Sequence, residues 1–251
     1  WFFLGLVLGI GCLVRATMMA ALAGMVLWLI LTLGWKRGGG AVALCLAGVA
    51  TIIMPWTLRN LHVEGAFIPI DSKGMRNAYL GNNPFTLQYM DRGVSLDKLW
   101  ADERLVQAPS GMTAAEEEHW YFMRIVEFVK NEPDTFAELL REKLIAFWSP
   151  RINPNVAQPL NSSFGYVRDF SYTISYVTLV ALAFVGIAAS VRHRRETTLF
   201  LCLFVLYTLV NILVWASTRL RMPLDSLIVV FSGYGMLRVI YGKPQGCTFS
   251  S

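Results

Sequence analysis

Six stretches of this chain are apolar for so long that few water-soluble folds accommodate them. They are residues 1–14, 16–34, 41–58, 170–191, 198–217 and 222–241. A helix needs about 20 apolar residues to cross the hydrocarbon core of a bilayer. Backbone in that core must satisfy its own polar groups, so the runs predict helices rather than open strands. Composition agrees: 55% of residues are hydrophobic, 16% are charged, and the mean hydropathy is +0.48. The reading is an all-α integral membrane protein with about six transmembrane helices and a mainly helical external domain. The first run is cut short at Trp1, so the chain is expected to be the later part of a longer protein.

The net charge of +5 raises nucleic acid as a partner, but its distribution points elsewhere. From Arg59 to Asp169 there are 12 Lys/Arg against 15 Asp/Glu, which leaves 10 and 2 of the totals of 22 and 17. The basic excess therefore lies beside the apolar runs, where it sets topology or meets lipid phosphate. Lys36, Arg37, Arg192, Arg194, Arg195, Arg238 and Lys243 fall on one side if the runs alternate in direction. Placing that side in the cytoplasm follows the positive-inside bias. Residues 1–58 then hold the first three helices and 59–169 form an extracytoplasmic domain. Residues 170–241 hold three more helices, and 242–251 are a cytoplasmic tail. The expected location is the inner membrane, in several passes.

Within 59–169, Thr113 and Glu116 have capping-box spacing ahead of a helix through Trp120, Ile125 and Phe128. Pro133 suits the first turn of a second helix, in which Phe136, Leu139, Leu140, Leu144, Phe147 and Trp148 recur at helical spacing. A weaker helix is expected over residues 96–106, and extended chain over 66–80. The aromatic residues read as core or interface anchors rather than a sugar platform.

This topology places Arg15, Arg59, Arg219 and Arg221 at outer helix ends, against the usual charge bias. An arginine at a helix centre costs roughly 2.5–3.5 kcal/mol, less toward the interface. One explanation is snorkelling to headgroups or pairing with an acid such as Asp225. The other is a ligand: a guanidinium fork holds phosphate bidentately, and a lipid-linked sugar phosphate carries its charge at that depth. Asn60, Asn77, Asn82 and Asn83 add amides near the third run. They either cap backbone or meet sugar hydroxyls. Asp71 and Asp91 are candidate bases. The candidate binding set is Arg15, Arg59, Asn60, Asn82, Asn83, Arg219 and Arg221.

Other signals are weaker. The four cysteines lack metal-ligand spacing, and His62, His119 and His193 form no zinc or triad pattern. The expectation is no metal site and no cofactor, with a divalent metal left open. Asn161-Ser162-Ser163 matches a glycosylation acceptor.

The stretches "GLVLGIGCLVRATMMA", "MPWTLRNLHVEGAFIPIDSKGMRNAYLGNNP", "KNEPDTFAELLREKLIAFWSP" and "STRLRMPLDSLIVVFSGYG" occur in that order. Together they resemble the C-terminal portion of bacterial C-type superfamily membrane glycosyltransferases, in the protein mannosyltransferase and aminoarabinose transferase branch. The resemblance implies a polyprenyl-phosphate sugar donor and inverting transfer to an extracytoplasmic acceptor of unknown identity. It implies a catalytic acid in a first external loop that would precede Trp1, and no position here matches that motif. Arg15 matches the basic residue closing a Gly/Leu-rich run, with Ala16 where proline is common. Arg219 and Arg221 match paired arginines before Pro223, whereas Asp225-Ser226 departs from the usual acid-then-proline ending. The rival readings are a polyprenyl-linked sugar transporter or flippase, and a membrane scaffold with an external binding domain. Expected partners are the donor and membrane lipids, not nucleic acid.

Overall fold

The structure is a computed structural model that describes residues 1–71, 73–91, 96–151, 163–190, 194–215 and 218–242. In chain order the helices are α1 (Phe2–Val14), α2 (Met19–Glu64), α3 (Gly74–Gly81), α4 (Thr86–Asp91) and α5 (Leu96–Leu99). They continue with α6 (Ala114–Asn131), α7 (Pro133–Trp148), α8 (Ser163–Ser190), α9 (Arg194–Val214) and α10 (Met222–Tyr241). Short 3-10 turns at Ala16–Met18 and Thr218–Arg221 precede α2 and α10. No strand occurs among the described residues.

Four runs are long and apolar enough to cross a bilayer: Ala16–Glu64, Gly165–Ser190, Thr197–Val214 and Met222–Tyr241. That is fewer than the six expected. The first expected run forms α1, whose 13 residues rise only about 20 Å. The second and third expected runs join in α2, because helical structure continues through the basic stretch at Lys36 and Arg37. Inside α2, Gly34 takes φ 72° and ψ 162°, a conformation that glycine alone enters cheaply. The chain folds back there. A Cβ on Gly38 would lie 2.8 Å from the Leu29 carbonyl oxygen and 3.2 Å from Ile30 Cα. On a straight helix Gly38 and Leu29 would be about 13 Å apart.

Small residues let the long helices touch. A Cβ on Gly5 or Gly48 would collide with backbone across the α1–α2 contact, and one on Gly186 or Gly235 would do so across α8–α10. Close backbone approach of this kind is the usual basis of helix association in lipid. The Ser232 hydroxyl donates to the Leu179 carbonyl at 2.6 Å, and Gly235 sits on Leu182. Those pairs advance together along both helices, so α8 and α10 run in the same direction with α9 as the return. At the end where α9 stops and α10 starts, Ala20, Phe147, Tyr207 and Leu224 form one buried cluster. It gathers α2, α7, α9 and α10.

The segment between α2 and α8 is a helical unit. The Thr113 capping box is formed, with Glu116 Oε2 accepting from the Thr113 amide at 2.8 Å. Pro133 opens α7. Two expectations fail. Residues 66–80 are not all extended, because α3 forms against α6 through Tyr79 and Trp120. The Glu118 carboxylate accepts from the Met75 amide at 2.9 Å and satisfies the α3 N-terminus. The helix expected over 96–106 is only α5; Asp102 then makes a turn by accepting from the Arg104 amide. Tyr79, Leu80, Leu99, Leu105 and Tyr121 form the core, with Trp215 from the end of α9 packed on it. That tryptophan joins this helical unit to the bundle. Asn161, Arg192, His193, Cys247 and the tail from 243 lie outside the described residues.

Candidate functional site

The end of the bundle where α9 stops and α10 starts is built around α7. Its last turn lies among the long helices: the Trp148 ring stacks on Phe204 of α9 with centroids 6.1 Å apart. A helix ends with unpaired carbonyls, and inside a bundle these need a protein partner. Arg221 supplies one. Its Nη1 donates to the carbonyls of Phe147 at 2.9 Å and Ser149 at 3.1 Å. Its Nε donates to Asp225 Oδ1 at 2.9 Å and its Nη2 to the Tyr172 hydroxyl at 3.3 Å. The guanidinium also lies 4.0 Å from the Tyr176 ring centroid. Arg221 is fully buried. The expectation that it holds a lipid phosphate is therefore corrected: its donors serve the α7 terminus and two other helices, α8 and α10. The Arg219 side chain lies outside the described residues.

Asn82 and Asn83 are corrected in the same way. Both are buried. Asn82 Nδ2 donates to the carbonyls of Ala78 at 2.7 Å and Leu213 at 2.8 Å, so it caps α3 and α9 together. Asn83 Nδ2 donates to the Tyr79 carbonyl at 2.9 Å, while its Oδ1 accepts from the Phe85 amide at 2.9 Å. Both amides are turned to backbone partners. A residue that the sequence reading missed completes the network. Lys143 of α7 is 1% exposed, and its Nζ donates to Asn82 Oδ1 at 2.7 Å. Burial lowers its pKa to about 7. Lys143 lies four residues from both Leu139 and Phe147, which are fully buried, so helical periodicity carried the signal.

Asn60 is also structural. Its Nδ2 donates to the Ile68 carbonyl at 3.0 Å and its Oδ1 accepts from Arg59 Nη1 at 3.1 Å. With the Trp56 indole donating to the Ile70 carbonyl at 2.9 Å, it pins the chain returning after α2. Arg59 is exposed, lies 5.3 Å from the Trp56 ring centroid and keeps most of its donors free among the described residues. Arg15 is half-buried between α1 and the 3-10 turn, with no side-chain partner among the described residues. The arginines therefore divide. Arg221 is a brace; Arg15 and Arg59 remain open to an anion.

Beside Trp148 an apolar groove of about 350 Å³ runs along α9, lined by Trp148, Phe204, Val205, Thr208, Leu209 and Ile212. Val205 and Leu209 are exposed, so the groove opens sideways, where a bilayer would lie. Among the described residues, no arginine lines it. Thr208 Oγ1 and Asn211 Oδ1 on the same helix are buried and have no hydrogen-bond partner among the described residues. No metal-holding group of His, Cys, Asp or Glu occurs among them either. Asp71 is exposed and accepts from the Lys73 amide at 3.1 Å; the Asp91 side chain lies outside the described residues. Comparisons with family profiles, curated proteins and solved structures give no match.

Proposed function

We propose that this chain belongs to a membrane glycosyltransferase that uses a polyprenyl-phosphate sugar and glycosylates an extracytoplasmic acceptor. The observation that carries this reading is the sideways-opening apolar groove along α9, which suits a flexible hydrocarbon chain. Arg15 and Arg59, at outer helix ends, are suited to the lipid phosphate. The sequence resemblance points the same way.

The chemistry asks for two contributions. The acceptor oxygen attacks the anomeric carbon and loses its proton to a carboxylate base. The bond from that carbon to the phosphate oxygen breaks, and its electron pair leaves with polyprenyl phosphate. Cationic side chains stabilise the charge gathering on that phosphate. The arginines are assigned this second role; the base is assigned to no residue here.

The test is photocrosslinking. The protein in proteoliposomes is irradiated with a polyprenyl phosphate that carries a diazirine in its tail. Adducts are expected on residues 204–212 and should be lost to competition by unlabelled polyprenyl phosphate but not by phospholipid. Adducts spread evenly over all lipid-facing helices would refute the reading.

A further inference from the structure

We infer that the last two turns of α7 lie within the outer leaflet, where Arg141, Leu144 and Ile145 bind the headgroup and upper acyl chain of a phospholipid. The inference stands apart from the enzyme reading, because it rests on depth. The 20 residues of α10 rise about 30 Å, the thickness of the hydrocarbon core, which puts Arg221 at its outer border. The Arg221 guanidinium bonds to Phe147 and Ser149, so the end of α7 sits at that border. Trp148 reaches deeper. Its partner Phe204 precedes the end of α9 by ten residues, about 15 Å of helix.

Leu144 and Ile145 stand four and three residues before Trp148, so they share its side of the helix. They are 45% and 51% exposed. Arg141 stands one turn higher on that side, with its side chain 70% exposed. It is paired with Glu142 at 3.1 Å, an exposed contact that contributes little. From Trp148 to Arg141 the helix rises about 10 Å. Hydrocarbon-facing residues below and a cation above repeat the polarity of one leaflet. A protein partner would give no reason for that order along a single helix. The continuity of the stripe with the long apolar helices commits it to lipid. The Arg221 cap fits as well, since carbonyls ending a helix at this depth are cut off from water.

The test uses the full chain with single added cysteines: Arg141→Cys, Leu144→Cys, Ile145→Cys, and Met123→Cys on α6 as the exposed control. Each variant is reconstituted in phosphatidylethanolamine/phosphatidylglycerol vesicles and treated from outside with a membrane-impermeant maleimide. The parent protein supplies the background, and Cys12, Cys45 and Cys202 are buried. Positions 144 and 145 are expected to react at least tenfold more slowly than 123 and 141, and all four alike after denaturation. A nitroxide on the same cysteines gives an independent readout: at 144 and 145, collisions with oxygen should exceed those with an aqueous nickel chelate. Reaction of 144 and 145 at the rate of 123, or nickel collisions equal to those at 123, would overturn the inference.

Discussion

Replacing Lys143 by methionine should stabilise the protein, and the gain should vanish as pH rises. The amine is buried with one neutral partner, Asn82 Oδ1, and its pKa falls from 10.5 to about 7. Between those values the unfolded chain holds a proton that the folded chain has released, so stability rises with pH across that window. Below pH 7 both states are protonated and the whole desolvation penalty is present. A fall of this size corresponds to about 5 kcal/mol at most. Methionine keeps the shape but leaves Asn82 Oδ1 without its donor, a loss of about 1–2 kcal/mol. The net gain at pH 6 is then about 3 kcal/mol. For a chain of this size that is a rise of roughly 6–12 °C in Tm. Near pH 10 the penalty has gone and the variant should be no more stable than its parent. The assay is thermal unfolding of both proteins at pH 6, 7.5 and 9. A difference in Tm that does not change with pH would refute the reasoning, because a packing effect does not titrate.

Three other outcomes follow from the same contacts. Arg221→Gln should lower stability by about 2–4 kcal/mol, since it leaves buried carbonyls and Asp225 without their donor; faster proteolysis near Ser149 would report it. Asn82→Ala removes donors to α3 and α9 and the acceptor for Lys143, which should cost about 2–3 kcal/mol in chemical denaturation. Gly235→Val places side-chain atoms against the Leu182 backbone and should cost at least about 1–3 kcal/mol, visible as a lower Tm with α8–α10 crosslinking lost.

Helices set by local chemistry were legible in the sequence. The capping box at Thr113 and the proline at 133 act within a turn of their own position, and α6 and α7 form there. What was not legible depends on distant partners. The N-terminus of α3 is satisfied by Glu118, 43 residues away along the chain, and its apolar side needs Trp120 and Tyr121. The reversal between the second and third apolar runs was legible, but its exact place was not. Here Gly34 makes the reversal, and the residues after it stay helical. The arginines show the same limit. Charge at the end of an apolar helix signals a need for an anion or acceptor without saying which. For Arg221 the acceptors are the carbonyls ending α7, whose arrival inside the bundle no local pattern announces. Asn82 and Asn83 were ambiguous between capping and binding until their carbonyl partners were placed.

The division among the arginines is the central claim, and polyprenyl-phosphate affinity in proteoliposomes tests it most directly. Arg15→Gln and Arg59→Gln should each weaken binding, by about tenfold for a lost charged hydrogen bond, with Tm unchanged. Arg221→Gln should lower Tm. Full affinity in the Arg15→Gln/Arg59→Gln double variant would contradict the account.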